Sequence, residues 1–172
     1  MRKSFIPLLA AVVLSACVTD EPKGGAPMTL INASGQAIGT IRAWQTAGGV
    51  SFRIDARSLP HGVHGIHVHP IGRCDRPDFS TAGTHWNPSG REHGMNNPKG
   101  PHDGDMPNVT VAANGILQET VVLPKASMAQ LLDADGSSIM IHANADDYVS
   151  QPAGNSGAKI ACAIIQPVAE VR

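Results

Sequence analysis

Histidine is concentrated in one part of this chain, where seven of the eight histidines lie between residues 61 and 102. Imidazole is the most common protein ligand for metals, and it exchanges protons near neutral pH. So many in so short a span predict a metal cluster. A bound ion would supply the order that a long loop without its own hydrophobic core lacks.

The remainder of the sequence indicates an all-β domain. Residues 50–55 alternate apolar and polar side chains with a period of two, as in a half-buried strand. The 18 glycines and 13 prolines interrupt many short β-prone runs. Evenly spaced runs of this length predict a sandwich or a barrel. The predicted strands are at residues 28–33, 36–45, 48–56, 63–69, 108–113, 116–123, 138–143 and 159–166, and one short helical turn is predicted at 127–132.

Two long loops interrupt the strand pattern, at residues 70–107 and 144–158. A loop this long inside a compact domain is usually functional or disordered. The first loop contains several of the candidate metal ligands, which favours a functional loop. Both are therefore predicted to contribute to the site.

The start of the chain is predicted to be an export signal. Arg2 and Lys3 precede a short apolar run, which is too short to span a membrane. The run ends at Cys17 in a sequence that resembles a lipoprotein cleavage site, so residues 1–16 are predicted to be removed and Cys17 to be lipidated. An ordinary secretory peptide is the alternative. Residues 17–27 are predicted to be a flexible tether and residues 28–172 the folded domain.

Charge and cysteine content limit the functional classes. Loss of Arg2 and Lys3 leaves 11 basic against 14 acidic side chains, which is not a basic surface for nucleic acid. Apart from Cys17, the chain has only Cys74 and Cys162. A disulfide between them is expected in an oxidising compartment. Two buried free thiols are the alternative.

Three histidines are predicted to share one outer face of the β structure. His67 and His69 are two residues apart in a strand, so their side chains point the same way. His142 follows Ile139 and Ile141, which have the alternation of inward-facing residues, so His142 faces outward as well. Three or four imidazoles suit copper, zinc, iron or nickel, and a planar set suits copper(II).

A second ligand set is predicted within the long loop. His93, His102 and Asp105 offer two nitrogens and an oxygen, and His85 completes a four-coordinate set that suits structural zinc. An imidazolate can bind two metals through its two nitrogens, and His85 lies between the two groups in sequence. His61 is interpreted as a surface residue and His64 as a structural one. Spacing alone favours a solvated loop acid for Asp146, although a carboxylate could also orient metal-bound histidines.

Six ordered motifs give the sequence a resemblance to the copper/zinc superoxide dismutases, over about residues 28–168. They are Gly65-Ile-His67-Val-His69, Ala82-Gly-Thr-His85-Trp-Asn-Pro88, Glu92-His93-Gly94, His102-Asp-Gly-Asp105, Ile141-His142-Ala and Gly157-Ala-Lys-Ile-Ala-Cys162. The resemblance implies an eight-stranded Greek-key β-barrel, or immunoglobulin-like sandwich, with two long functional loops.

The resemblance also implies a role for each candidate residue. It implies one copper and one zinc ion per subunit, a Cys74–Cys162 disulfide, an Asp146 carboxylate that links the two metal sites, and a structural His64. The copper ligands it implies are His67, His69, His85 and His142. The zinc ligands it implies are His85, His93, His102 and Asp105, with His85 as the bridge.

The activity implied by the resemblance is dismutation of superoxide to oxygen and hydrogen peroxide. His85 would take up and return a proton as the copper is reduced and reoxidised. The family usually has an arginine where this chain has Lys159, and the lysine keeps the charge that draws the anionic substrate but not the planar set of donors. A lipid-anchored protein of the bacterial cell envelope with an antioxidant role is expected, and a homodimer is compatible with the resemblance.

Three other functions fit parts of the pattern. A metal-sequestering lipoprotein would bind copper or zinc with little turnover, but it has no need of a histidine shared by two metals. A branch of the family without zinc conflicts with the presence of His93, His102 and Asp105. A purely structural β-sandwich leaves the outward histidines unexplained.

Overall fold

The computed structural model describes residues 25–165, so the predicted signal peptide (1–16) and Cys17 lie outside the described residues. Within that range the chain forms one short α-helix, α1 (Met128–Leu131), one 3-10 turn (Ser80–Ala82) and nine strands. The strands are β1 (Met28–Asn32), β2 (Ala37–Thr46), β3 (Gly49–Ala56), β4 (Gly62–His64), β5 (Ile66–His69), β6 (Val109–Val111), β7 (Leu117–Pro124), β8 (Ser137–His142) and β9 (Lys159–Ile165).

Seven strands form one curled antiparallel sheet in the order β5-β8-β9-β1-β2-β3-β7. The other two strands, β4 and β6, pair with each other. Strand β4 leads directly into β5 at one edge of the large sheet, and β6 contacts β7 at the other edge. The small sheet therefore joins the two edges, which limits the unpaired strand edge that the domain exposes. The predicted all-β class is confirmed.

The predicted strand at 63–69 is the one run that the structure divides. Gly65 separates β4, which pairs with β6, from β5, which pairs with β8. The N–H of Gly65 donates to the Asn144 carbonyl (2.8 Å), and its own carbonyl accepts from the His142 N–H (2.9 Å). Because these backbone groups bond across the turn, the chain can leave one sheet and enter the other without unpaired polar groups.

The two faces of β5 and β8 are both buried, but against different parts of the protein. Ile66 and Val68 point into the main core inside the barrel, together with Ile139 and Ile141 of β8. Met140 lies on the opposite face in a second apolar cluster with residues of the long loop and β9, namely Phe79, Ala82 and Cys162. The loop at 70–107 therefore covers the outer wall of the barrel, on the face that the alternation assigned to the histidines.

Backbone hydrogen bonds fasten that loop to the edge of β5. The Val68 N–H donates to the Gly104 carbonyl (2.9 Å), the Trp86 N–H to the Val68 carbonyl (2.8 Å), and the Gly104 N–H to the Trp86 carbonyl (2.7 Å). A Cβ on residue 104 would come within 3.0 Å of the Trp86 carbonyl oxygen, which explains the glycine there. The order of the loop therefore has a source in the chain itself and does not depend on metal alone.

The predicted disulfide is present. Cys74 in the long loop is bonded to Cys162 in β9, with a sequence separation of 88 and a distance of 5.8 Å between their Cα atoms. The bond ties the start of the loop to the barrel wall beside Phe79.

Candidate metal centre

The strand register places three histidines together on the outer wall. His67 and His69 extend from β5, and His142 ends the neighbouring strand β8, where Ile66 pairs with Ile141. All three are almost fully buried, since the long loop covers them. Burial of so many polar rings without compensation would cost stability, so their nitrogens need partners.

Four buried ring nitrogens in this group have no hydrogen-bond partner within the described residues. They are His67 Nδ1, His69 Nε2, His85 Nε2 and His142 Nε2. His67, His85 and His142 each have one ring nitrogen that lies within 4.8 Å of the corresponding nitrogens of the other two. The rings of His69 and His85 have centroids 5.2 Å apart, and those of His69 and His142 are 5.9 Å apart. Orphaned nitrogens that converge in this way fit a metal ion, and an all-imidazole set suits copper.

The second nitrogen of three of these rings is held by an acceptor. His67 Nε2 bonds to the Asp146 carboxylate (2.8 Å), His69 Nδ1 to the Gly83 carbonyl (2.9 Å), and His142 Nδ1 to the Gly157 carbonyl (3.2 Å). Each acceptor requires an N–H on the nitrogen that faces it. The orphaned nitrogen of the neutral ring therefore carries the lone pair, which is the form that binds a metal.

The second ligand set also comes together. One donor atom from each of four residues lies within 4.8 Å of the other three, and the residues are His85, His93, His102 and Asp105. The Asp105 carboxylate is fixed by the N–H groups of Gly94 and His102, each at 3.0 Å. His93 Nδ1 lies 2.9 Å from Asp105 Oδ2 but lacks hydrogen-bond geometry, and it is the fifth orphaned nitrogen. One carboxylate oxygen and three nitrogens are the donor set of a structural zinc site.

His85 faces both groups with different atoms. Its Nδ1 lies 2.9 Å from Asp105 Oδ1 and 3.4 Å from His102 Nδ1, on the side of the second set. Its Nε2 is the orphaned nitrogen on the side of the first set. Its ring stacks on that of His67, with centroids 3.9 Å apart. The residue predicted to join two metals is thus placed between the two donor groups.

Burial keeps the rings of His67, His69 and His142 neutral. It lowers the pKa of His67 to about 4, although the bond to Asp146 opposes the change. Burial likewise lowers the pKa of His69 to about 2 and that of His142 to about 3, with further lowering from neighbouring imidazoles. These rings are therefore unprotonated at neutral pH and available to a cation.

The second set has the opposite electrostatic character. Burial alone would raise the pKa of Asp105, but the hydrogen bond from His85 and the adjacent His93 imidazole hold it far below its usual range. Burial alone would lower the pKa of His93, but the carboxylates of Asp105 and Asp146 raise it to about 9. A cation at His93 Nδ1 takes the place of a proton there, so binding of metal by this set releases protons.

Asp146 connects the two sets. Its Oδ2 accepts from His67 Nε2 (2.8 Å) and its Oδ1 from His93 Nε2 (3.0 Å). The Asp146 carboxylate is buried, so the prediction from spacing alone of a solvated loop acid is wrong for this residue. The neighbouring Asp147 is exposed. These contacts also account for the proximity of His67, His93 and Asp146 without a third metal.

Sequence reasoning missed the residue that positions Asp146. Asn108 Oδ1 accepts from the Asp146 N–H (2.8 Å), and its Nδ2 donates to the Asp146 carbonyl (2.9 Å). Its own N–H donates to the Tyr148 hydroxyl (2.8 Å). Asn108 precedes β6 and has no special spacing to any histidine, so only the fold brings it to the site.

Replacement of Asp146 by Asn should weaken both metal sites. The amide keeps the shape of the carboxylate but cannot accept from two histidine N–H groups with equal strength, so His67 and His93 lose orientation. We expect a fall of about 10- to 100-fold in the affinity for copper and for zinc, as is typical for partners of metal ligands. Competition titrations with chelators would measure both. Asp147→Asn is the control, and equal affinities in the Asp146 variant and the unmodified chain would contradict this role.

The remaining predicted residues lie at the periphery. Lys159 Nζ donates to the carbonyls of Phe79 (3.3 Å) and Gly83 (3.1 Å), and the Gly83 carbonyl also orients His69. Burial lowers the pKa of Lys159. His64 is buried, with its ring nitrogens at the carbonyls of His142 (2.8 Å) and Pro60 (2.9 Å), as expected of a structural residue. His61 is exposed.

An antiparallel β-barrel with two adjoining histidine-rich sites on its outer wall defines a class of dinuclear metalloprotein. The family model for copper/zinc superoxide dismutase matches residues 37–165 of the chain. The chain belongs to the copper/zinc superoxide dismutase family. The resemblance inferred from the six motifs is confirmed, and with it copper and zinc as cofactors and superoxide as substrate.

Individual relatives agree with this assignment. The chain is 38% identical over 164 residues to superoxide dismutase [Cu-Zn] 1 of Aquifex aeolicus, covering 92% of this chain and 96% of the relative. The crystal structure of a SOD-like protein from Bacillus subtilis has a TM-score of 0.80 at 41% identity, covering 83% of this chain and 99% of that one. Cu/Zn superoxide dismutase from Brucella abortus has a TM-score of 0.72 at 29% identity, covering 83% and 99%. The Greek-key fold is confirmed, and the family is among the known immunoglobulin-like sandwiches.

Proposed function

We propose that this chain dismutates superoxide in the cell envelope, with copper held by His67, His69, His85 and His142 and zinc held by His85, His93, His102 and Asp105. One observation carries the assignment. Four buried nitrogens of the first set, one of them His85 Nε2, have no hydrogen-bond partner among residues 25–165, while His85 Nδ1 faces Asp105.

When bound, copper supplies the electron transfer, since it can be reduced by one superoxide and reoxidised by the next. The chain's own groups support this reaction in three ways. The acceptors on His67, His69 and His142 keep their free nitrogens unprotonated and fixed. His85 Nε2 is the atom that can hold a proton between the two half-reactions. Lys159 adds positive charge beside His69 for an anionic substrate.

The assignment of the two metals can be tested by X-ray data collected on either side of the copper and zinc absorption edges, from crystals of the mature chain. We expect a copper peak at the nitrogens of His67, His69 and His142, and a zinc peak at His93, His102 and Asp105, with His85 between them. Copper within the second set, or a single peak for both elements, would contradict the assignment.

Replacement of Lys159 by arginine should raise activity. Lys159 Nζ is engaged with two loop carbonyls, whereas a guanidinium can bond to them and still present N–H groups to an anion. We expect a higher rate of superoxide decay that falls as salt is added. The control is Lys99→Arg, because Lys99 is exposed and paired with Glu92. An unchanged rate and an unchanged salt dependence would show that residue 159 is not a substrate contact.

The location in the envelope follows from the predicted export signal and from Cys17, both outside the described residues. Among residues 25–165, no helix has the length and apolar character needed to cross a membrane. A lipid on Cys17, joined to the barrel by residues 17–27, would hold the enzyme at a membrane surface. The enzyme would then remove superoxide at that surface.

Replacement of Cys17 by serine tests this location. We expect the variant to move from the membrane fraction to the soluble fraction of cells, since serine cannot carry the thioether-linked lipid. Immunoblots of both fractions after a high-salt wash would report the distribution. If the variant and the unmodified chain stay equally with the membrane, Cys17 does not anchor the protein.

A further inference from the structure

Zinc in the second set needs a route through the protein, and the ligands differ in their access to solvent. The side chains of His93 and Asp105 are 0% exposed and that of His85 is 3% exposed, whereas His102 is 13% exposed. A cavity of about 310 Å³ reaches this side of the site and is lined by both His102 and Asp105. A separate depression touches His85 beside Pro70 and Thr84, but His93, His102 and Asp105 do not line it.

The rim of the cavity at His102 carries positive charge. Arg91 and Lys125 line it from the long loop and from the end of β7, and both are exposed. Of the two acids that line the cavity, Asp105 belongs to the zinc set, and Asp103 has both oxygens engaged by Ser89, at 2.8 Å to the N–H and 2.9 Å to Oγ. A divalent cation that approaches His102 must therefore pass two cationic side chains and meets a carboxylate already occupied by hydrogen bonds.

We propose that zinc enters the protein through this cavity at His102, separately from copper, and that Arg91 and Lys125 slow its passage. The inference rests on the proposed assignment of zinc to His85, His93, His102 and Asp105. It implies that the zinc site can be filled from one side of the barrel wall while the nitrogens of the copper set remain covered. It also gives the two basic side chains a role in the rate of zinc uptake rather than in the reaction with superoxide.

Charge reversal at the rim is the direct test. Arg91→Glu and Lys125→Glu each change the local charge by two units. Acting on a doubly charged ion that passes at about 10 Å, this change should speed zinc uptake about 3-fold at 0.1 M ionic strength and about 7-fold at 0.01 M. The measurement is stopped-flow uptake of zinc, reported by a fluorescent zinc indicator, into the mature chain freed of zinc with its disulfide intact.

Arg57→Glu is the matched control. Arg57 follows β3 at the end where Ala56 pairs with Leu117, whereas Lys125 follows Pro124, which pairs with Gly49 at the other end. The seven residue steps between these ends correspond to about 23 Å along the strand. Since this distance exceeds the screening length of about 10 Å at 0.1 M salt, Arg57→Glu should leave the uptake rate unchanged there.

The outcomes separate this route from the assignment of the site. Faster uptake in both rim variants, with the rate of Arg57→Glu unchanged at 0.1 M salt, supports the route. One zinc per chain bound at unchanged rates in the rim variants overturns the route but leaves the assignment intact. Undiminished zinc binding by an Asp105→Ala variant overturns the assignment itself.

Discussion

Replacement of His142 by alanine should reduce the catalysed decay of superoxide to the uncatalysed background while zinc binding persists. His142 Nε2 is one of the four orphaned nitrogens of the copper set, and its loss leaves three ligands and a gap beside His67. The backbone N–H and carbonyl of residue 142 still bond to Gly65 and His64, so the strand end stays in place. The hydrogen bond of the His142 ring goes to the Gly157 carbonyl and not to a residue of the zinc set.

Metal content and activity should be measured together on this variant. We expect copper well below one per chain, zinc near one per chain and no catalysed decay in a superoxide assay. His61→Ala is the control, because His61 is exposed and lies outside both sets. A His142 variant that retains copper and most of its activity would show that the copper lies elsewhere.

Removal of the disulfide should cost a large part of the stability of the domain. The Cys74–Cys162 bond closes a loop of 88 residues, and in the chain-entropy account such a constraint on the unfolded state contributes about 4–5 kcal/mol. Domains of this kind are stable by about 5–15 kcal/mol in total, so the variant would be close to unfolding. Urea unfolding of the Cys74→Ala, Cys162→Ala double variant would measure the loss.

The same variant should lose activity for a local reason. Cys74 and Phe79 hold the start of the long loop against Met140, and the loop carries the Gly83 carbonyl that orients His69. Reduction of the unmodified chain by a thiol, without substitution, controls for the cavity left by two alanines. If both treatments change the free energy of unfolding by less than about 1 kcal/mol, the chain-entropy account does not apply to this bond.

The sequence predicted the parts of the site that depend on strand geometry. His67 and His69 have the spacing of one strand face, and His142 follows the inward alternation of Ile139 and Ile141, so their common wall could be derived without a structure. The strands followed from alternation and turn residues in the same way. The ligand set of the loop followed from residue type, because His85, His93 and His102 are the histidines of that segment and Asp105 follows them closely.

Other parts depend on contacts between distant segments and left no signal in the sequence. The carbonyls of Gly83 and Gly157 orient His69 and His142, yet any residue offers a carbonyl. Asn108 reaches Asp146 only because β6 begins beside the second loop. The division of residues 63–69 at Gly65 left only a shift in the alternation, since Val63 has the opposite parity to Ile66 and Val68, and the continuous β-prone run concealed it. Tertiary hydrogen bonds, rather than local preference, decide each of these features.

The rate of superoxide decay by the zinc-loaded mature chain, followed as copper is added, shows directly whether the copper set is catalytic. We expect the rate to rise in proportion to bound copper and to level off at one copper per chain, because the four nitrogens of His67, His69, His85 and His142 form one copper site. Full occupancy by copper and zinc without catalysed decay would contradict the claim and would favour a protein that only sequesters metal.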